Sequence, residues 1–242
     1  MADQLWTHSG DSHFIEPPSL YRENLPAALA DRLPRSERIS EEEEIVHIDG
    51  RQLRRKIPKP SSPEIAEARR QFAEAMAQGG AGQSNGRVRL EHLDDQGVWG
   101  EVVYPSLGLW YDQIQDPDLV AAAARVLNDY IHDELIRLSP RFVPTATLPL
   151  QSLEHALKEA VRCAELGFHA VFLPTSLADN VPAWNQDHWE PLWATCEEVG
   201  LVVGFHIHTD ASGNRPFRNP GGAILNILSQ DRRRARRRIW AL

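Results

Sequence analysis

The sequence predicts an α/β fold made of repeated parallel βα units, and three observations carry that prediction. Short apolar runs begin near residues 142, 170 and 201. An amphipathic stretch follows each of the first two, with apolar residues at the i, i+3, i+4 spacing of a one-sided helix. The unit recurs about every 30 residues, the length a parallel crossover needs.

Taken in order, a weaker first strand is expected over residues 9–14. Residues 17–95 do not follow the repeat and read as a long insertion after that strand. They are rich in Pro and charge, with an acidic run at 41–44 that reads as a solvated face. Ser62-Pro63 opens a helix through Phe72 and Met76, and GGAGQSNG (79–86) reads as a flexible stretch. EVVYPS (101–106) is the next strand. Asp116 and Pro117 then open a helix as N-cap and first-turn proline, with a stripe running from Leu119 to Leu138.

FVPTATL (142–148) is the third strand, and Ser152 caps the helix that Gly167 ends. AVFLPT (170–175) has the continuous apolar character of a strand buried on both faces. Asp187 and Glu190 have capping-box spacing ahead of a Trp189, Leu192, Trp193, Cys196, Val199 stripe closed by Gly200. LVVGFHIH (201–208) is the fifth strand. Five such units fit either a doubly wound sheet or part of a barrel. No GxGxxG follows a strand, which removes the usual support for a dinucleotide fold. A full barrel needs eight strands, and the chain has room for about five.

Composition narrows the function classes. The 242 residues carry a formal charge of −8, which argues against a general polyanion binder. Residues 231–242 alone hold six Arg and one Asp. Cys163 and Cys196 fall inside predicted helices without metal-binding or redox spacing, so both read as small buried thiols. The N-terminus lacks the basic-then-apolar pattern of a signal peptide, and no run approaches about 20 apolar residues. The default expectation is a cytoplasmic protein.

Three places carry candidate chemistry. Asp11-Ser12-His13 puts a carboxylate and an imidazole at i and i+2, on one face of a strand. Such a pair suits Zn2+ or Mn2+, although DxH triplets also arise by chance. His206 and His208 close the strongest apolar strand, at the end where barrel enzymes place reactive groups. His206 ranks above His208, which already leans into the loop. Proline marks the other strand ends, and among these Tyr104 alone brings a polar handle, as a pocket-wall residue.

Together DSHFIEPPSLY, VWGEVVYPS, RVLNDYIHDEL, SPRFVPTATLPL, ELGFHAVFLPT and GFHIHTD resemble the amidohydrolase superfamily, in the branch typified by aminocarboxymuconate-semialdehyde decarboxylase. The resemblance covers roughly residues 5–226. It implies a distorted (β/α)8 barrel with one divalent metal, Zn or Mn, at its carboxyl-end mouth. It places Asp11 and His13 at the two first-strand ligand positions and His206 at the fifth-strand position. It also implies a small organic acid as substrate, cleaved by hydrolysis or by non-oxidative loss of CO2.

The resemblance further implies a proton-transfer His from a sixth strand and a metal-binding Asp from an eighth, and neither has a counterpart here. Past Asn226 the sequence departs from the family. A shifted reading frame or premature stop is the expectation, leaving residues 231–242 as a non-native or disordered basic tail. Two alternatives follow: an inactive fragment, or a non-enzymatic nucleic-acid binder acting through the Arg run. A barrel with open edge strands is also expected to oligomerise or aggregate.

Overall fold

The structure, a computed structural model, describes residues 6–78, 82–175, 177 and 181–206. Five parallel strands form its main sheet, side by side in chain order, and an antiparallel trio over Arg35–Arg38, Glu43–Ile48 and Arg51–Lys56 forms a second. The main sheet holds β1 (Thr7–Phe14), β5 (Val98–Pro105), β6 (Phe142–Thr147), β7 (Ala170–Pro174) and β8 (Val202–His206). These are the five expected strands, each following its neighbour in space by a βα crossover. The fold is α/β, a partial (β/α)8 barrel with a long excursion between its first two strands.

The central strands β6 and β7 are the most thoroughly buried, and every residue of AVFLP in β7 is inside. Their near-continuous apolar runs suit strands covered on one face by helices and on the other by the curled sheet. Helices α5 (Pro117–Ile131) and α6 (Leu153–Glu165) supply the outer cover. Asp116 accepts from the N–H groups of Asp118 and Leu119, and Ser152 accepts from that of His155, so both expected N-caps form. Cys163 and Cys196 are buried as free thiols. Asn128 of α5 stitches helix to strand: its amide donates to the Thr147 carbonyl at 2.9 Å and its oxygen accepts from the Thr147 N–H at 2.9 Å.

The region between β1 and β5 is more ordered than the sequence suggested. It holds short helices α1 (Leu20–Asn24) and α2 (Ala27–Ala30), then β2 (Arg35–Arg38), β3 (Glu43–Ile48) and β4 (Arg51–Lys56), then helices α3 (Pro63–Ala77) and α4 (Gly86–Gln96). Half of the acidic run becomes strand: Glu43 and Glu44 pair with the Arg54 and Arg55 side chains of β4. Gly86 starts a helix capped by Asn85 rather than ending a loop, while residues 79–81 of the expected flexible stretch lie outside the described residues. The Asp187–Glu190 capping box also does not form. Asp187–Trp189 makes a 3-10 turn, and α7 (Glu190–Glu198) begins after it.

Candidate metal centre

In the main sheet, β1 and β8 are the two edge strands. On a flat sheet four strand spacings of about 4.8 Å would hold them about 19 Å apart. Yet His206 Nε2 of β8 lies 3.1 Å from Asp11 Oδ1 of β1. Only a sheet curled toward closure brings these side chains together across its concave face. His13 Nε2 stands 3.7 Å from the same carboxylate oxygen, and its ring centroid is 5.0 Å from that of His206.

Local structure aims these groups. The β1–β5 register shifts between Ser9 and Ser12, so Gly10 and Asp11 occupy a bulge. A bulge re-aims a side chain from the regular pleat, and here it turns Asp11 toward His206. His13 then sits beside Tyr104 in the ladder. The Tyr104 ring lies 4.4 Å from His206 and 5.9 Å from His13, centroid to centroid. The Tyr104 hydroxyl lies over Gly204, where an added Cβ would meet it at an ordinary contact distance of 3.5 Å. Phe172 of β7 completes an aromatic wall, 6.0 Å from His206 and 6.2 Å from Tyr104.

One ligand atom from each of Asp11, His13 and His206 lies within 4.8 Å of the others. Donors about 2.1 Å from a shared cation stand about 3.0–3.4 Å apart, so a small contraction suits this set to a divalent ion. Burial, aided by the neighbouring His206, lowers the His13 pKa below its ordinary value. That favours the neutral imidazole a metal needs. Burial first, then the Asp11 charge, raises the Tyr104 phenol. His208 lies outside the described residues.

Sequence reasoning missed the groups behind this constellation. Arg89 of α4 donates through Nη1 to the His13 carbonyl at 2.8 Å. It also pairs with buried Glu101 of β5 through Nε, and through Nη2 at 3.0 Å. Glu16 accepts from the Ser106 and Leu107 N–H groups at 2.9 and 3.0 Å, tying the loop after β1 to the loop after β5. Burial pushes the Glu16 carboxyl up to about 8 against the pull of those donors. A Glu inside the apolar strand EVVYP was the available signal for Glu101, since a buried charge requires a partner.

Comparisons with known proteins agree with this architecture. Residues 101–218 match the amidohydrolase family. Over 128 residues the chain is 32% identical to a gamma-resorcylate decarboxylase of Polaromonas sp. strain JS666, covering 50% of this chain and 37% of that protein. An amidohydrolase structure from Mycobacterium avium subsp. paratuberculosis superposes with TM-score 0.66 at 16% identity, over 86% of this chain and 60% of that one. A dihydroxybenzoic acid decarboxylase from Polaromonas sp. JS666, solved with bound manganese and 2-nitroresorcinol, gives TM-score 0.54 at 16% identity, over 91% and 52%. The chain thus spans less than two thirds of each of these relatives. No helix among the described residues is long and apolar enough to cross a membrane. The match over residues 101–218 and the 32% identity to a decarboxylase relative make this chain similar to the amidohydrolases, and the curled parallel sheet has their fold.

Proposed function

We propose that this chain carries the cation-holding half of a metal-dependent carboxy-lyase acting on a small aromatic acid. One observation carries the reading: a carboxylate and two imidazoles from opposite edges of the sheet converge within 4.8 Å. Asp11, His13 and His206 would hold one Mn2+ or Zn2+, with Tyr104 as a wall of the pocket. The bound ion supplies a positive charge that orients and polarises the substrate carboxylate. Tyr104 and Phe172 offer ring faces and edges against which an aromatic substrate packs. Release of CO2 breaks one C–C bond and leaves the electron pair on the ring carbon, which takes up one proton. The decarboxylase relatives favour this outcome over hydrolysis.

The test starts with metal. The purified chain should take up one equivalent of Mn2+ or Zn2+ by elemental analysis and titration. His206→Ala should weaken binding by at least tenfold, an order-of-magnitude expectation for losing one of three protein ligands. A wild-type chain that binds neither ion, or a His206→Ala variant that binds as tightly, would sink the reading. CO2 release from a panel of hydroxybenzoates then separates two outcomes. Turnover supports the carboxy-lyase, whereas metal uptake without turnover marks a chain that holds the cation and lacks the proton donor.

A further inference from the structure

Beside the aromatic wall lies a recess of about 20 Å3. About 10–15 Å3 suffices for one water-sized group, so this space takes a single oxygen and not a ring. Its lining includes Gly108, Asp112, Thr147, Gln151 and Phe172. Thr147 is only 2% exposed, and its Oγ1 is buried with no hydrogen-bond partner among the described residues. Gly108 keeps the space in front of that hydroxyl open, because a Cβ there would stand 2.5 Å from Thr147 Oγ1. A buried hydroxyl left unbonded costs about 1–3 kcal/mol, so its persistence needs a reason.

The chemistry of the lining says what would fit. Gln151 donates through Nε2 to the Tyr111 and Ile114 carbonyls, each at 2.7 Å. Those bonds fix the amide orientation, and its buried Oε1 is left as an acceptor. The Asp112 carboxylate adds negative charge nearby, its Oδ2 accepting from Gln113. In an otherwise mostly apolar lining, the Gln151 oxygen and the Thr147 hydroxyl suit a single hydroxyl, which donates to the first and accepts from the second.

Position links the recess to the metal centre. Thr147 pairs in register with Phe172, and Phe172 pairs with Gly204, two residues before His206. Thr147 therefore stands two strand spacings from β8, about 10 Å along the sheet. That is the reach of one aromatic ring with an acid at one end and a hydroxyl at the other.

We infer that Thr147, with Gln151, forms a hydroxyl-reading subsite for the far side of a hydroxylated aromatic carboxylate. The inference rests on the proposed cation site, which anchors the acid end. The experiment is calorimetric binding of benzoate, 3-hydroxybenzoate and 4-hydroxybenzoate to the manganese-loaded chain. One hydroxy isomer should bind about tenfold tighter than benzoate, the worth of one hydrogen bond. Thr147→Val should bring that ratio close to one, and Thr147→Ser should keep it. Manganese affinity in the same samples reports whether each variant is folded, and Thr147→Ser carries the test if Thr147→Val is not. A ratio that survives Thr147→Val or is lost in folded Thr147→Ser, or no preference in the wild type, overturns the subsite while leaving the cation reading intact. Such a result would mean that the recess holds only a structural water. A manganese-loaded chain that binds none of the three acids overturns both.

Discussion

The two sheets of this molecule are built on opposite principles. The parallel sheet buries its middle strands and brings Asp11, His13 and His206 together from its two edges. The antiparallel trio is dominated by exposed, charged residues. β2 is exposed at every residue, β4 at all but Leu53, and only Val46 and Ile48 of β3 are buried. Apolar burial holds the first sheet at roughly 25 cal/mol per Å2. The second is anchored by Val46 and Ile48 and carries cross-strand ion pairs on its surface, which contribute about 0–1 kcal/mol each. The difference teaches where this chain tolerates change: charge at the surface of the excursion is expendable, whereas charge buried between excursion and barrel is not.

Arg89 puts that contrast to its hardest test, because α4 reaches from the excursion into the barrel wall. Arg89 and Glu101 are both buried, and the guanidinium also holds the His13 carbonyl. Arg89→Leu would strand the Glu101 carboxylate in an apolar wall, a loss on the order of 3–5 kcal/mol. Removing both charges in Arg89→Leu/Glu101→Leu should recover most of it, since the desolvated charge is then gone. Urea unfolding of both variants decides the matter. A double variant no more stable than the single one would show that packing, not the stranded charge, dominates there. Metal affinity gives the second readout: it should fall in both variants, because each loses the donor to the His13 backbone.

Glu16 should show a smaller effect with a particular pH signature. Its folded value of about 8 stands above the ordinary 4.5. The native state therefore binds this proton more tightly than the unfolded chain does. Its contribution is complete below about pH 4.5 and is lost as pH rises through 8. Glu16→Gln has nothing to titrate at this position, so the difference between the two proteins isolates the group. The wild-type advantage should shrink by a few kcal/mol between pH 5 and pH 9. A constant offset would contradict it, and would mean that the two N–H donors outweigh burial. Some offset is expected at every pH, because the glutamine amide turns a donor toward a donor.

The barrel was legible because its units repeat. Strand, capped helix, glycine and strand again leave a period that survives uncertain boundaries. The site was half legible. Residue types and strand ends suggested Asp11, His13, His206 and Tyr104, but nothing in the chain states that edges 195 positions apart will meet. Curling is a property of the whole sheet. Arg89 and Glu16 were illegible for a similar reason, since their partners come from other elements. The antiparallel trio is a different case. Asp49 and Gly50 both have positive φ, 47° and 73°, as a two-residue hairpin turn requires. Asp-Gly between EEIVHI and RQLRRK was therefore a readable signal, masked by the charge of the flanking segments, which hides the period-two alternation of a strand.

That hairpin supplies the gentlest test of the comparison. Arg54 and Glu43 pair at 3.2 Å, but their side chains remain 67% and 34% exposed. Water screens such a pair, and ordering two long side chains offsets the attraction that remains. The register does not depend on it: the Asp49–Gly50 turn fixes Ile48 opposite Arg51, and Val46 and Ile48 are anchored inside. Arg54→Ala should therefore change stability by less than about 0.5 kcal/mol, and by less still in 0.5 M salt. Metal affinity should not move, because Arg54 pairs with Glu43 inside the antiparallel sheet, whereas the metal centre is built from Asp11, His13 and His206. A loss above about 1.5 kcal/mol would place this pair with Arg89 and Glu101 as a structural charge, and the division between the two sheets would have to be redrawn.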